Sequence, residues 1–160
     1  MSFFARMFGT TWPRAPKTPF AAGVAALEQR RVDEALAHFA TALASAASDR
    51  ERALVHNKRG LALLVRGDRN AAVAAFVAAL DADDRCAPAI VNVGNLLLED
   101  GILNDAVAHY EAALAIDDAS AAAHLNLGIA QKRLGRRTEA VREFRRAAAL
   151  EARQARPRRT

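Results

Sequence analysis

Small and apolar residues recur along this chain at a fixed spacing of 34 residues, and that spacing dominates the pattern of hydrophobic and polar positions. The five columns in phase are Gly60, Gly94 and Gly128; Gly67, Gly101 and Gly135; Ala72, Ala106 and Ala140; Phe76, Tyr110 and Phe144; and Ala79, Ala113 and Ala147. A period of this length is typical of stacked helical hairpins. The sequence therefore predicts an all-α repeat protein.

Each unit should contain two helices joined by a tight turn. In the unit 53–86, apolar residues keep a helical spacing on both sides of Gly67 and Asp68. Gly67 suits the left-handed backbone conformation that ends a helix. Gly60 has no Cβ, so the second helix can approach the first closely, while Phe76 fills the gap between hairpins.

The period divides the chain into segments. The predicted segments are an N-terminal flexible or amphipathic segment 1–17, a repeat domain 18–155, and a basic tail 156–160. Within the domain the clear units are 53–86, 87–120 and 121–154, and a degenerate unit covers 18–50. These bounds predict three well-marked hairpins and an additional one upstream.

The upstream unit is the least regular. Gly23, Ala35, Phe39 and Ala42 keep the mutual spacing of the other units, and Thr18-Pro19 predicts a helix cap followed by proline in the first turn. Arg30 stands where the other units have glycine. The junction to the next unit is three residues longer than the period, so we expect a looser turn over residues 45–50.

Segments of the repeat resemble the signatures of the tetratricopeptide repeat, abbreviated TPR. The matching segments are Val93-Gly94 and Leu127-Gly128, and the longer runs 101–106 and 135–140, each of which begins with glycine and ends with acid-alanine. The resemblance covers residues 16–155. It departs where the family favours an aromatic residue (His56, Ile90 and His124 here) and where it favours proline (Asp84, Asp118 and Ala152 here).

The resemblance implies a right-handed superhelix of hairpins whose first helices line a concave groove. In TPR proteins that groove holds an extended or helical segment of a partner protein. Carried over by position, the groove residues are Asn57, Lys58, Leu61, Leu64, Asn92, Asn95, Leu98, Leu125, Asn126, Ile129, Lys132 and Arg133. We expect the asparagines to bond a ligand's backbone; the alternative is that they only follow the repeat consensus.

The sequence lacks the basic clamp with which some TPR proteins bind heat-shock chaperones. Some TPR proteins grip the carboxyl terminus of heat-shock chaperones through lysine, arginine and asparagine on three first helices. Ala122 and Asn126 stand in the basic places of the last unit, so that clamp is absent. Lys132 and Arg133 can still pair with acidic groups on another ligand.

Charge is distributed unevenly behind a net charge of +5. Residues 21–130 carry nine basic and fifteen acidic residues, whereas residues 131–160 carry eleven basic and three acidic residues. The basic end lacks interleaved aromatic residues and any reading motif, which disfavours specific nucleic-acid recognition and favours an acidic protein surface. The sequence contains neither an apolar run long enough to span a membrane nor a secretory signal, so we expect a cytoplasmic protein. Association with a membrane surface is the alternative.

The aromatic segment 1–17 leaves several readings open. Phe3, Phe4, Met7 and Phe8 share one helical face, and Trp12 follows. This pattern fits a membrane-surface anchor formed by residues 1–13, a segment that covers an exposed end of the solenoid, a disordered tail or a transit peptide. Self-association is a further alternative, because we expect the terminal hairpin to have an uncovered face.

Catalytic, cofactor and metal sites find no support in the sequence. Asp81, Asp83 and Asp84 resemble the start of a calcium loop, but Cys86 replaces its glycine. The single cysteine excludes a disulfide framework, and the four histidines recur with the repeat without converging. We therefore expect a non-enzymatic adaptor or scaffold without cofactor; the alternative is a self-assembling or membrane-tethered scaffold.

Overall fold

A computed structural model describes residues 18–155, and within that range the chain forms eight helices and no strand. The helices are α1 (Pro19–Glu28), α2 (Val32–Ala44), α3 (Asp49–Arg66), α4 (Arg69–Ala82), α5 (Ala87–Glu99), α6 (Leu103–Ile116), α7 (Ala121–Arg133) and α8 (Arg137–Gln154). The predicted all-α class is confirmed. The predicted N-terminal segment 1–17 and basic tail 156–160 lie outside the described residues.

Consecutive helices pair into hairpins 1 to 4, which are α1/α2, α3/α4, α5/α6 and α7/α8. Each even-numbered helix also packs against the odd-numbered helix that follows it. The odd-numbered helices contact one another from hairpin to hairpin, whereas no two even-numbered helices do so within residues 18–155. The stack therefore curves with α1, α3, α5 and α7 on its inner side.

The aromatic column and one glycine column form a single contact inside each hairpin. A Cβ added at Gly60 would lie 2.5 Å from Cε1 of Phe76, and one at Gly94 would lie 2.8 Å from the Tyr110 ring. The same contact joins Gly23 to Phe39 and Gly128 to Phe144. The glycines thus let the edges of the rings approach the first helix closely, as expected for Gly60. Phe76 also belongs to a core cluster that includes Leu36 of hairpin 1 and Leu96 of hairpin 3.

The turns inside hairpins 2, 3 and 4 use glycine in the left-handed region, as predicted at Gly67. Its φ is 88°, and the amide of Asp68 donates to the Leu63 carbonyl at 2.9 Å. In hairpin 1, Arg30 has a φ of 59° and the amide of Arg31 donates to the Ala26 carbonyl at 2.9 Å. Hairpin 1 therefore closes in the same way without glycine, because its packing compensates for the strained backbone.

The junction between hairpins 1 and 2 is shorter than expected. We predicted a loose turn over residues 45–50, but α3 already begins at Asp49. Ser48 Oγ accepts from the Glu51 amide at 3.1 Å, and Glu51 Oε2 accepts from the Ala47 amide at 2.8 Å. This reciprocal capping starts the helix early and gives α3 18 residues.

None of the helices in the described part of the chain combines the length and apolar character needed to span a membrane.

Candidate functional site

The predicted groove residues all lie on α3, α5 and α7, the helices of the inner side. Their exposure differs widely. Asn57 is only 2% exposed and therefore belongs to the floor, whereas Leu125 is 41% exposed. Lys132 and Arg133 are exposed at the end of α7, and the remaining predicted residues are half-buried.

A chain of carboxamide hydrogen bonds runs along the groove. Asn92 Nδ2 donates to Asn57 Oδ1 at 2.7 Å, and Asn126 Nδ2 donates to Asn95 Oδ1 at 2.8 Å. A long contact of 3.5 Å from Asn95 Nδ2 to Asn92 Oδ1 closes the gap between the two pairs. The four asparagines therefore couple hairpins 2, 3 and 4 and hold each other's orientation.

The chain leaves part of each carboxamide free. A carboxamide offers two N–H donors and an oxygen with two lone pairs. Asn92, Asn95 and Asn126 each direct one contact from Nδ2 to another asparagine, so each retains a second N–H. Because these side chains are half-buried, the spare groups are held in place by neighbours.

Tyr110 supports this chain from the second helix of hairpin 3, a role that we did not predict. Its hydroxyl donates to Asn95 Oδ1 at 2.8 Å. Burial, with the nearby charge of Glu99, raises the pKa of Tyr110, so the hydroxyl stays a donor. The sequence does contain a signal for this contact, because asparagine and tyrosine occur together in hairpin 3. At the equivalent two positions, hairpin 2 has Leu61 and Phe76, and hairpin 4 has Ile129 and Phe144.

A cleft of about 210 Å³ opens at the α3/α5 end of the groove. It brings together four predicted residues, Asn57, Lys58, Leu61 and Asn92. Val91 and Pro88 add apolar walls, and the start of α7 closes the far side. The cleft thus combines a fixed amide, a lysine, the carboxylate of Asp117 and apolar surface, which suits a side chain presented by a bound segment.

Other predicted residues contribute to the walls of the groove. Leu61 and Leu64 pack against the core of hairpin 2, and Leu98 packs against the core around Tyr110. Arg133 Nη1 donates to the Leu98 carbonyl at 2.6 Å, which ties the end of α7 to α5. Arg133 is therefore already engaged, whereas the structure gives Lys132 no ion pair within residues 18–155.

The groove's outer edge carries a salt-bridge cluster. Arg69, at the start of α4, donates to Glu99 at 2.6 Å and to Asp100 at 2.7 Å. It also donates to the Leu96 carbonyl at 3.2 Å. The carboxylates raise the pKa of Arg69 and use much of the acidic charge at the end of α5.

A buried histidine–glutamate contact lies in hairpin 4. His124 Nδ1 lies 2.7 Å from Glu143 Oε2, and Nε2 lies 3.2 Å from the Asp118 carbonyl. Burial alone would raise the pKa of Glu143, but hydrogen bonds from His124 and Arg142 outweigh it and lower the pKa. This pair explains how hairpin 4 accommodates histidine where the family favours an aromatic ring.

Within residues 18–155, no group of three or more histidine, cysteine, aspartate or glutamate side chains is placed to hold a metal ion. Cys86 is buried, and burial raises the pKa of its thiol. A buried thiol of this kind packs as a small apolar side chain.

Comparison with known proteins identifies the repeats. Two family models described as tetratricopeptide repeat match residues 20–85 and 121–154, and one described as TPR repeat matches residues 94–135. No curated protein matches this sequence.

Several solved structures share the fold. MamA is 21% identical with a TM-score of 0.66, over 86% of this chain and 78% of MamA. The structure of pilF from Pseudomonas aeruginosa is 19% identical with a TM-score of 0.71, over 82% of this chain and 59% of that chain. The second TPR of Spaghetti, bound to an HSP90 peptide, is 22% identical with a TM-score of 0.59. The match covers 64% of this chain and 94% of that chain. With its hairpins, turn glycines and matching repeats, this chain belongs to the tetratricopeptide repeat family.

Proposed function

We propose that this protein is a non-catalytic adaptor or scaffold whose groove holds an extended or helical segment of another protein. The observation that carries the proposal is the asparagine chain of α3, α5 and α7, whose half-buried residues Asn92, Asn95 and Asn126 each keep a second N–H donor. Donors fixed before binding lose little conformational freedom when a ligand arrives. A ligand's backbone carbonyls are suitable acceptors and require no particular side-chain sequence.

The groove's side chains favour a ligand of mixed character. Leu125 and Ile129 offer apolar contacts near Asn126, and the cleft, which Lys58 and Asp117 both line, suits a polar side chain. At the opposite end, Lys132 favours an acidic group. The fold neighbour from Spaghetti is bound to a peptide, which supports a peptide ligand as the class to test first.

The test compares two groups of exposed substitutions that leave the hydrogen-bond chain intact. Leu125→Glu with Lys132→Glu changes the groove, while Val73→Glu with Val77→Glu changes α4 outside it. Leu125 and Val73 are 41% and 42% exposed, so the two apolar-to-acid changes are closely matched. Each variant is first checked for unchanged helicity and melting temperature.

The readout is affinity capture from the native host followed by quantitative mass spectrometry. We expect one or more proteins to be retained by the wild type and the α4 variant but lost from the groove variant. Retention of the same proteins by all three, with the same recovery, would contradict groove binding. Peptide arrays of the retained protein would then locate the bound segment.

A further inference from the structure

A second, separate pocket lies at the end of the stack, between α1, the end of α2 and the start of α3. Its volume is about 410 Å³, within the roughly 300–1,000 Å³ range of ligand pockets. Its lining is mainly apolar: Phe20, Ala42, Ala46, Leu54 and Val55, with one carboxylate from Glu51. Leu54 of α3 is 36% exposed there, whereas the large apolar side chains of hairpin 1 are buried or half-buried.

The pocket exists because α1 begins late. Gly94 and Gly128 each lie seven residues after the first residue of α5 and α7, whereas Gly23 lies four residues after Pro19. Nearly one helical turn is therefore missing from α1. The residues that the missing turn would cover remain open, and Thr18 stands exposed at the rim.

We propose that this pocket holds the side chain of Trp12 from the same chain. Trp12 precedes Thr18 by six residues, which span up to about 20 Å when extended, so the indole can reach a pocket lined by Thr18 itself. Pro13 and Pro16 restrict the intervening backbone and reduce the entropy lost on docking. Trp12 is also nearer in sequence than the other aromatic residues of the segment, which lowers the loop-closure cost.

The chemistry of the pocket fits an indole better than a phenyl ring. Tryptophan combines a large apolar surface with one N–H donor that needs an acceptor when buried. The Glu51 carboxylate lies on the pocket wall and has a second oxygen besides the one that accepts from Ala47. The segment 1–17 carries Arg6, Arg14 and Lys17 with no acid, so its charge complements the Glu51 carboxylate.

Trp12 is the single tryptophan of the chain, so its fluorescence reports on the proposal directly. We expect blue-shifted emission and weak acrylamide quenching in the full-length protein, compared with a synthetic peptide of residues 1–17. Leu54→Glu places a charge in the pocket, and Ala46→Phe fills it. Both should raise the quenching constant to that of the peptide while circular dichroism stays unchanged.

The matched control is Val77→Glu, an apolar-to-acid change at a 49% exposed position of α4, which should leave Trp12 protected. Peptide-like quenching of Trp12 in the wild type would overturn the proposal. Protection that disappears on dilution would place the indole in a second copy, and protection that requires phosphatidylglycerol vesicles would place it at a membrane. Either result would also overturn docking within one chain.

Discussion

At the residue scale, the groove depends on a match between two positions 15 residues apart, Asn95 and Tyr110. Hairpin 3 alone has asparagine at the first position and a hydroxyl at the second. In hairpins 2 and 4, an aliphatic side chain faces phenylalanine at the same places. Both positions of the pair are therefore polar in hairpin 3 and apolar in hairpins 2 and 4. Because the two polar residues occur together, the buried Tyr110 hydroxyl has a hydrogen-bond acceptor.

This unit predicts a non-additive double-mutant cycle. Tyr110→Phe leaves Asn95 with one donor fewer, and Asn95→Leu leaves the buried Tyr110 hydroxyl unpaired, so each should destabilise by about 1–2 kcal/mol. The double variant reproduces the apolar pair of hairpin 2 and should lose less than the two single changes together. Urea denaturation of the four proteins measures the coupling; additive losses would contradict it.

Arg30 supplies a second prediction at this scale. It adopts a φ of 59° in the turn where three other hairpins use glycine. Because a side chain in this region costs about 1–2 kcal/mol, partly offset by the greater freedom of unfolded glycine, Arg30→Gly should stabilise by up to about 1 kcal/mol. Thermal and urea unfolding measure the change.

The control for Arg30 is the reverse substitution in hairpin 2. Gly67 has a φ of 88° with open space around the site of a Cβ, so Gly67→Ala tests backbone strain without a clash. It should destabilise the protein. If Gly67→Ala is neutral and Arg30→Gly destabilises, strain does not govern these turns.

At the scale of the element, hairpin 4 pairs a histidine with a glutamate where hairpin 2 has His56 with Ala75 and hairpin 3 has Ile90 with His109. His124 and Glu143 join α7 to α8 across a buried contact. Arg142 binds the other Glu143 oxygen at 2.9 Å. Removing either partner is costly, since the Glu143 carboxylate would remain in the interior with fewer hydrogen bonds.

The lowered pKa of Glu143 makes hairpin 4 sensitive to acid. A carboxyl whose folded pKa lies below its ordinary value of 4.5 adds stability above that pH, and loses it as the pH falls through the folded pKa. Glu143→Gln should therefore lower stability near neutral pH and flatten its loss below about pH 4.5. Melting temperatures between about pH 3 and 7 test this.

Glu151→Gln is the matched control, because Glu151 is exposed on the same helix. In the Glu151→Gln protein, the melting temperature should fall at acid pH as it does in the wild type. If the melting temperature of the Glu143→Gln protein falls at acid pH as steeply as that of the wild type, other carboxylates dominate the acid sensitivity.

At the scale of the molecule, each hairpin contacts only its neighbours in sequence, so stability is a sum of hairpin and interface terms. Phe144→Ala removes the ring that packs on Gly128 in the terminal hairpin. The ring is half-buried, so the loss should fall below the roughly 3–5 kcal/mol of a fully buried ring. Amide exchange should accelerate in α7 and α8 and remain unchanged in α3 and α4. Uniform acceleration would indicate a single cooperative unit.

The repeat itself was readable from sequence because it is local. Turn glycines and aromatic fillers act within about one hairpin, so their period predicted the helices and the positions of the first-helix residues. The same locality made Thr18 a reliable cap, and its Oγ1 accepts from the Ala21 amide at 3.2 Å. The predicted looser turn failed at Asp49, because reciprocal capping by Ser48 and Glu51 decides where α3 begins.

The sequence by itself thus determined the family, the all-α class and the helices that form the inner side. Tertiary structure alone decided how the groove side chains are used. Asn57 became buried and Asn95 gained Tyr110 as a partner, since both depend on contacts between helices that the repeat period does not encode. The pocket beside Thr18 arose likewise, because one missing turn of α1 leaves neighbouring helices uncovered in three dimensions.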